Sequence, residues 1–403
     1  MNGLNDTPKG NRIHIGFFGR VNAGKSSLIN SFARQDISVV SDIEGTTTDI
    51  VYKSMEISPI GPCVLMDTAG LGDKTLLAKE RMNKTALAVE KCDMAVLVVD
   101  SSDDIALMGE EFSLLDTFNK RKTPVLFAIN KSDNDIEKAS DLAKIIEDKT
   151  DKSAICVSAV TGFGIDTLKD NIVRLVPDDF TEESLLRNLV KAGDVVMLVM
   201  PQDIAAPKGR LILPQVQTTR ELLDKKCSII STTADGFLNS INCLKKAPDL
   251  IITDSQVFEL VYNNKPKESK LTSFSVLFAS YKGDIDYYKE SAKKIDELNN
   301  SSKVLIAECC THAPLSEDIG RVKIPAMLKK KYGSELKIDI VSGTDFPSDL
   351  SDYSLIIQCG GCMFNKKYVL SRIMKAKEQK VPMTNYGIAI AYLKGILDKI
   401  EIF

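Results

Sequence analysis

Long apolar runs are missing from this chain of 403 residues. The longest, such as residues 195–200, have the length of a β-strand and fall far short of the ~20 residues that cross a bilayer. A membrane partner is therefore not expected. The first residues, Met1-Asn-Gly-Leu-Asn-Asp, carry no basic and apolar signal pattern, so a cytoplasmic protein is the expectation. Excess positive charge is missing too. The net charge is −3, with acidic and basic residues spread along the chain. Without a basic stripe to track a phosphate backbone, a nucleic-acid partner is disfavoured. Histidine is scarce, with two in the chain against nine cysteines. In an intracellular protein such cysteines point to thiols and metal rather than disulfides. There is no internal repeat and no low-complexity tract. The length leaves room for roughly two or three domains with ample core.

What is present begins at Gly19-Arg-Val-Asn-Ala-Gly-Lys-Ser26, which fits the phosphate-loop pattern G-x-x-x-x-G-K-[ST]. An apolar strand over residues 13–18 runs into it, and a helical pattern over 27–32 leaves it. Backbone N–H groups from Gly19, Asn22, Ala23 and Gly24 to Ser27, at the helix start, would cradle a polyphosphate. Lys25 would reach the β- and γ-phosphates, and Ser26 would face Mg²⁺. Three further segments follow in order. Asp67-Thr-Ala-Gly70 closes the strand 63–66, where Asp67 can hold Mg²⁺ through water and Gly70 can offer an N–H to the γ-phosphate. Asn130-Lys131-Ser-Asp133 closes the strand 125–129. A carboxylate at Asp133 can accept both N–H groups of the guanine N1/N2 edge, which adenine lacks. Ser158-Ala159, after the strand 154–157, would cover the base from its other side. The nucleotide is GTP.

The intervening loop reads Ser41-Asp-Ile-Glu-Gly-Thr-Thr-Thr-Asp49. It resembles switch I of the GTPases related to the tRNA-modifying enzyme MnmE and the ribosome-assembly factor Era, which carry G-T-T-R-D. The resemblance makes Thr47 the Mg²⁺ threonine beside Thr46, and sets Thr48 where those proteins usually have Arg. Relatives with Asn at the position of Asn22 use K⁺. By resemblance, K⁺ would lie between Asn22, carbonyls near Ser41 and Ile43, and the phosphates. There it would neutralise charge on the transferring phosphoryl group. The other reading of Asn22 is a plain turn cap. Leu71 occupies the place where many small GTPases carry a water-orienting Gln, so slow hydrolysis is expected. Glu80 is a candidate substitute, or an ordinary solvated helix charge.

The fold expectation is α/β: a P-loop GTPase domain followed by two smaller α/β units with mostly parallel sheets. The GTPase domain covers 1–178, and Pro177-Asp-Asp-Phe-Thr-Glu-Glu reads as its exit linker. The middle unit, 184–264, has strands at 194–200, 228–232 and 250–253 and helices at 215–226, 236–245 and 256–263. The polar stretch 264–270 suggests a second boundary. The last unit, 271–403, has strands at 303–307, 337–341 and 353–357 and helices at 287–298, 325–332, 369–378 and 387–397. A small parallel sheet leaves an open edge, so a homodimer through the middle unit is expected.

The last unit carries a second chemistry. Cys310-Thr-His312 follows the strand 303–307, and Cys359-Gly-Gly-Cys362 follows 353–357. Both lie just past the carboxyl ends of parallel strands, where open α/β sheets place their sites. Two glycines between thiols let the backbone wrap a metal and aim N–H groups at sulfur. Three thiols and a histidine suit a structural Cys₃His zinc and an Fe–S cluster about equally. Buried core thiols are the remaining reading. Cys309 would point away from Cys310 if the strand ran on through it. Cys63, Cys92, Cys156, Cys227 and Cys243 lie in or beside apolar segments and read as core.

Taken together, the GTPase loops, the middle unit and the spaced C-x-H and C-x-x-C resemble the HydF family, the maturation GTPases of [FeFe]-hydrogenases. Residues 206–217 and 319–325 look like further family signatures, and the resemblance covers essentially the whole chain. It implies a scaffold that receives a diiron subcluster made by two radical-SAM maturases, HydE and HydG, and passes it to the apo-[FeFe]-hydrogenase. It implies a resident [4Fe–4S] cluster on Cys310, Cys359 and Cys362. Many members have His directly before C-x-x-C, where this chain has Gln358. The fourth iron is then left to His312, water or a carboxylate such as Glu317. The competing reading is a GTP-dependent metal insertase with a structural Cys₃His zinc.

Overall fold

The computed structural model describes residues 9–34, 50–68, 70–71, 78–176, 184–201, 211–309 and 318–402, with side chains of 78–82 left aside. It divides into two compact units, Met1–Glu182 and Glu183–Phe403.

In the first unit β1 (Ile13–Phe18) is buried along its whole length. That is why it reads as a continuous apolar run rather than an alternation. With β2 (Val51–Ile57), β3 (Gly61–Asp67), β4 (Met94–Asp100), β5 (Val125–Asn130) and β6 (Ala154–Cys156) it forms one sheet in the order β2-β3-β1-β4-β5-β6. All pairings are parallel except β2 with β3. Each face carries a core layer. Leu28, Ile29 and Phe32 of α1 (Lys25–Arg34) and Leu168 and Ile172 of α5 (Ile165–Leu175) cover one face. α2 (Ala78–Lys91), α3 (Gly109–Lys120) and α4 (Ile136–Thr150) cover the other.

The second unit holds two four-stranded, all-parallel sheets. One is ordered β10-β9-β7-β8, from β7 (Val195–Val199), β8 (Ser228–Thr232), β9 (Leu250–Thr253) and β10 (Lys270–Ser273). The other is ordered β12-β11-β13-β14, from β11 (Lys303–Ala307), β12 (Lys337–Val341), β13 (Leu355–Gln358) and β14 (Met383–Asn385). Here the structure departs from the sequence expectation. The polar stretch 264–270 does not end the middle sheet, because β10 begins at its last residue, Lys270, and pairs with β9. The helix that follows, Phe274–Lys282, drives Phe274, Leu277 and Phe278 into the same core as Val196, Leu198 and Ile252. An open β9 edge with a Leu-Thr-Ser strand available is satisfied locally. The helix expected over 287–298 also divides, into Ile285–Ala292 and a 3₁₀ turn Lys293–Glu297. β14, with sequence Met-Thr-Asn, is too short and polar to announce itself as a strand. Among the described residues no helix is long and apolar enough to cross a membrane.

β8 is left at a sheet edge. The helix leading into it, Leu213–Asp224, exposes Val216 (48 %) and Leu223 (56 %) seven residues apart, hence on one face. If that face is buried in a dimer, Val216→Glu with Leu223→Glu should raise the dimer dissociation constant on the order of a hundredfold, at about 1.5 kcal/mol per lost apolar side chain. Sedimentation velocity on the full chain checks this, and an unchanged assembly would move the interface elsewhere.

Candidate functional site

The first loop is shaped by close approach. Gly19 has φ 151° and a Cβ there would lie 2.1 Å from the Val98 carbonyl oxygen. Gly24 has φ 86°, and its Cβ would lie 2.3 Å from Asn130 Nδ2. Side chains are excluded from both positions. Asn22 takes a left-handed φ of 67°, which asparagine tolerates better than most residues. Lys25 is 7 % exposed, and its Nζ donates to the Gly19 and Arg20 carbonyls at 2.9 and 2.7 Å. Burial pushes its pKa down to about 8, against the pull of Asp67 and Glu111.

Asp67 closes β3 beside these groups. Burial raises its carboxyl pKa, while a Ser26 hydrogen bond and the Lys25 charge draw it back. Ser26 and Ser27 remain exposed at the start of α1. A hydroxyl, a carboxylate and an ammonium are thus gathered at one helix N-terminus, the set that a Mg²⁺-bound phosphate needs. Gly70 packs so tightly that a Cβ would meet Val21 Cα at 2.8 Å. The Leu71 N–H donates to the Gly19 carbonyl at 3.0 Å, and the Val21 N–H donates to the Leu71 carbonyl at 3.3 Å.

Asn130 binds two loops at once. It is 1 % exposed; its Nδ2 donates to the Ala23 carbonyl at 2.9 Å, and its Oδ1 accepts from the Ala159 N–H at 3.1 Å. Lys131 pairs with Asp100 at 2.6 Å and comes within 4.0 Å of a Gly24 Cβ position. Asp133 stays exposed on the same loop. Ser158 is fully buried and its Oγ accepts from the Thr161 N–H at 3.1 Å, tightening the turn that presents Ala159. Thr46, Thr47 and the rest of the 41–49 loop lie outside the described residues, as does the Glu80 side chain.

Sequence reasoning missed one group here. Arg20, inside the phosphate loop, pairs with Glu111 at 3.0 Å. Glu111 is 1 % exposed, and its Oε2 has no hydrogen-bond partner. The signal was a carboxylate on the buried stripe of α3, with Leu115 and Phe118.

In the second unit Cys359 follows β13 and Cys362 follows three residues on, both half-buried. Strand alternation does not reach Cys309. β11 stops at Ala307, so the period of two no longer applies, and Cys309 turns toward Cys359. Its N–H donates to Cys359 Sγ at 3.1 Å. A hydrogen bond with the Cys309 thiol, with backbone N–H groups of Gly361 and Cys309, holds the Cys359 thiol below its ordinary range. Burial pushes Cys309 well up. Gly361, at φ 66°, supplies one of those donors. A sulfur that accepts backbone N–H hydrogen bonds fits a thiolate-bound metal group. Gln358 is 1 % exposed with its Oε1 unpartnered. Cys310, His312 and Glu317 lie outside the described residues; among the described ones no three His, Cys, Asp or Glu side chains form a ready metal site.

Fold and loops define a P-loop GTPase that uses GTP and Mg²⁺. The model described as "50S ribosome-binding GTPase" matches residues 14–131. The hydrogen maturase F dimerization domain matches 185–283, and the hydrogen maturase F tetramerization domain matches 286–401. These two cover more than half of the chain, and the chain belongs to the HydF family of hydrogenase-maturation GTPases. A tRNA modification GTPase MnmE of Legionella pneumophila (strain Paris) is 34 % identical over 234 residues, 55 % of this chain and 49 % of that one. The MnmE of Clostridioides difficile (strain 630) is 33 % identical over 159 residues, 39 % of this chain and 33 % of that one. The chain thus spans about half or less of those relatives. Era in complex with MgGDPNP and nucleotides of 16S ribosomal RNA is similar at 17 % identity and TM-score 0.36, covering 55 % of this chain and 91 % of that one. The G domain of the T. maritima FeoB iron transporter is similar at 22 % identity and TM-score 0.32, covering 41 % and 99 %.

Asn130→Ala removes both clips at once and leaves the Ala23 carbonyl and the Ala159 N–H to find other partners. At about 1–3 kcal/mol for buried hydrogen bonds, GTP affinity should fall about tenfold or more. Calorimetric titration with a non-hydrolysable GTP analogue reads it; unchanged affinity would remove Asn130 from the site.

Proposed function

We propose that the chain is a GTP-binding and hydrolysing scaffold and carrier that assembles the diiron subcluster and delivers it to apo-[FeFe]-hydrogenase. The observation that carries this reading is the Cys359 sulfur, which accepts the Cys309 N–H at 3.1 Å and has its pKa drawn down by its hydrogen bonds, in a chain of the hydrogenase-maturation family. Cys310, Cys359 and Cys362 would hold the resident [4Fe–4S] cluster, which supplies an iron site where the diiron cargo can dock. HydE and HydG would supply that cargo. The chain's residues have separate tasks: Gly361 and Cys309 donate N–H groups to sulfur, and Lys25, Ser26 and Asp67 gather phosphate and Mg²⁺. Asp133 selects guanine, and Thr47 and Asn22 complete the metal shell around the γ-phosphate. The middle unit, near residues 184–264, joins two copies, and the GTPase domain acts as the switch.

Two experiments test this. Replacing Cys359 or Cys362 with Ser, with Cys310→Ser alongside, should strip most of the iron after anaerobic reconstitution, because an alkoxide replaces thiolate poorly on iron. Stoichiometric zinc in oxygen-free wild-type protein that takes up no iron would favour the metal-insertase reading instead.

Hydrolysis should be slow and stimulated by K⁺ over Na⁺. Leu71 offers no side chain to orient water, and a cation beside Asn22 would neutralise the transferring phosphoryl group. Asn22→Ala should abolish most of that K⁺ stimulation in a phosphate-release assay. Retention of the wild-type K⁺/Na⁺ ratio would place the cation elsewhere.

A further inference from the structure

Two cations are buried beside the thiols. Lys282 ends the helix Phe274–Lys282 and is 1 % exposed; Arg372 lies in the helix Lys366–Glu378 and is 2 % exposed. Lys282 Nζ donates to three carbonyls of the cysteine loop, those of Gly361 at 3.2 Å, Cys362 at 3.4 Å and Phe364 at 2.7 Å. The Arg372 guanidinium sits against the rings of Phe346, Phe364 and Tyr368 at 4.8, 4.7 and 5.1 Å. One of its Nη2 hydrogens goes to the Gly343 carbonyl, while Nε and Nη1 have no hydrogen-bond partner.

Among the described residues neither cation pairs with a carboxylate. The groups that favour the Lys282 ammonium against its burial are Cys362, Cys309 and Cys359. Arg372 acts on the Cys309 thiol in the same sense. Carbonyl oxygens and aromatic faces soften the loss of water, but two like charges buried together remain costly until an anion faces them. The sulfurs of the cysteine loop are where such an anion would form once they hold a metal group.

We propose that Lys282 and Arg372 are positioning residues forming a buried dicationic seat for the cysteine loop, Lys282 shaping the 359–364 turn through its carbonyls and both offsetting the negative charge of the metal group the thiols hold. The proposal rests on the cluster reading above. Because the helix of Lys282 also packs into the middle sheet, the seat fastens the cysteine loop to the sheet of the dimerization domain. Positive charge beside a cluster favours its reduced, more negative state, so the seat raises the reduction potential.

The test uses full-length Lys282→Met, Lys282→Gln, Arg372→Met and Arg372→Lys proteins, reconstituted without oxygen. Iron and sulfide content, the paramagnetic spectrum of the reduced protein, the midpoint potential and the rate of iron release to a chelator are measured, with GTP hydrolysis as the control for folding. Lys282→Met should release iron several-fold faster, and it and Arg372→Met should shift the midpoint to more negative values. Arg372→Lys, which keeps the charge, should restore most of that shift. Should Lys282→Met precipitate, Lys282→Gln keeps a donor without the charge and carries the same potential test. Wild-type potential, spectrum and release rate in both Lys282→Gln and Arg372→Met would overturn the seat. If wild-type protein takes zinc and no iron, the cluster reading fails separately. The seat is then read on zinc release, which Lys282→Gln should still accelerate.

Discussion

Strand polarity is the constraint on which the rest of the chain depends. A parallel strand cannot turn back on itself, so each must be followed by a crossover. Apart from β2, every strand in the three sheets therefore delivers its following loop to the same edge of its sheet. Gly19, Asp67, Asn130 and Ser158 come together because β1, β3, β5 and β6 all end there. Cys309 and Cys359 meet because β11 and β13 are register-matched neighbours, with Ala307 opposite Gln358. The sites need no special architecture. They follow from adjacency in a sheet and from what the first residues past each strand can do.

The loops were legible because their chemistry is local. A glycine that must accept φ 151° and abut a carbonyl, or a lysine at the first position of a helix, is fixed by its neighbours in sequence. The strands were legible for a related reason: β1, β8, β9, β11 and β12 are apolar or β-branched runs of strand length. What stayed hidden depends on tertiary burial. Glu111, Lys282 and Arg372 are charged residues on helices, and such residues usually face water. Each nevertheless sits on a buried stripe, Glu111 with Leu115 and Arg372 with Tyr368 and Ala376, and the charge interrupting that stripe was the available sign. Cys309 could not be placed by alternation, because its strand ends two residues before it. β10 was missed because a polar turn before a strand looks like a domain boundary when the partner strand is not yet known.

Arg20 and Glu111 show what such buried charge does. Their pair fixes the side chain of a phosphate-loop residue against α3, and Leu71 adds two backbone hydrogen bonds to the same loop. The loop is thus held from both sides before any phosphate arrives. A loop already in place spends little ordering entropy when its ligand binds.

Lys25 and Lys282 then share one physical state in two chemistries. Each is a buried ammonium supported by loop carbonyls, and burial lowers each pKa to about 8. Carbonyl dipoles orient such a cation without cancelling its charge, so it remains available to a stronger anion. At Lys25 the Gly19 and Arg20 carbonyls hold the ammonium inside the phosphate loop, and the proposed anion is the nucleotide's phosphate. At Lys282 the groups that favour the charge are the thiols, and the carbonyls belong to the same turn that carries Cys362. A shift of that turn changes the lysine's carbonyl contacts and its distance to the thiols together. Geometry and charge at the thiol site are therefore coupled through a single side chain.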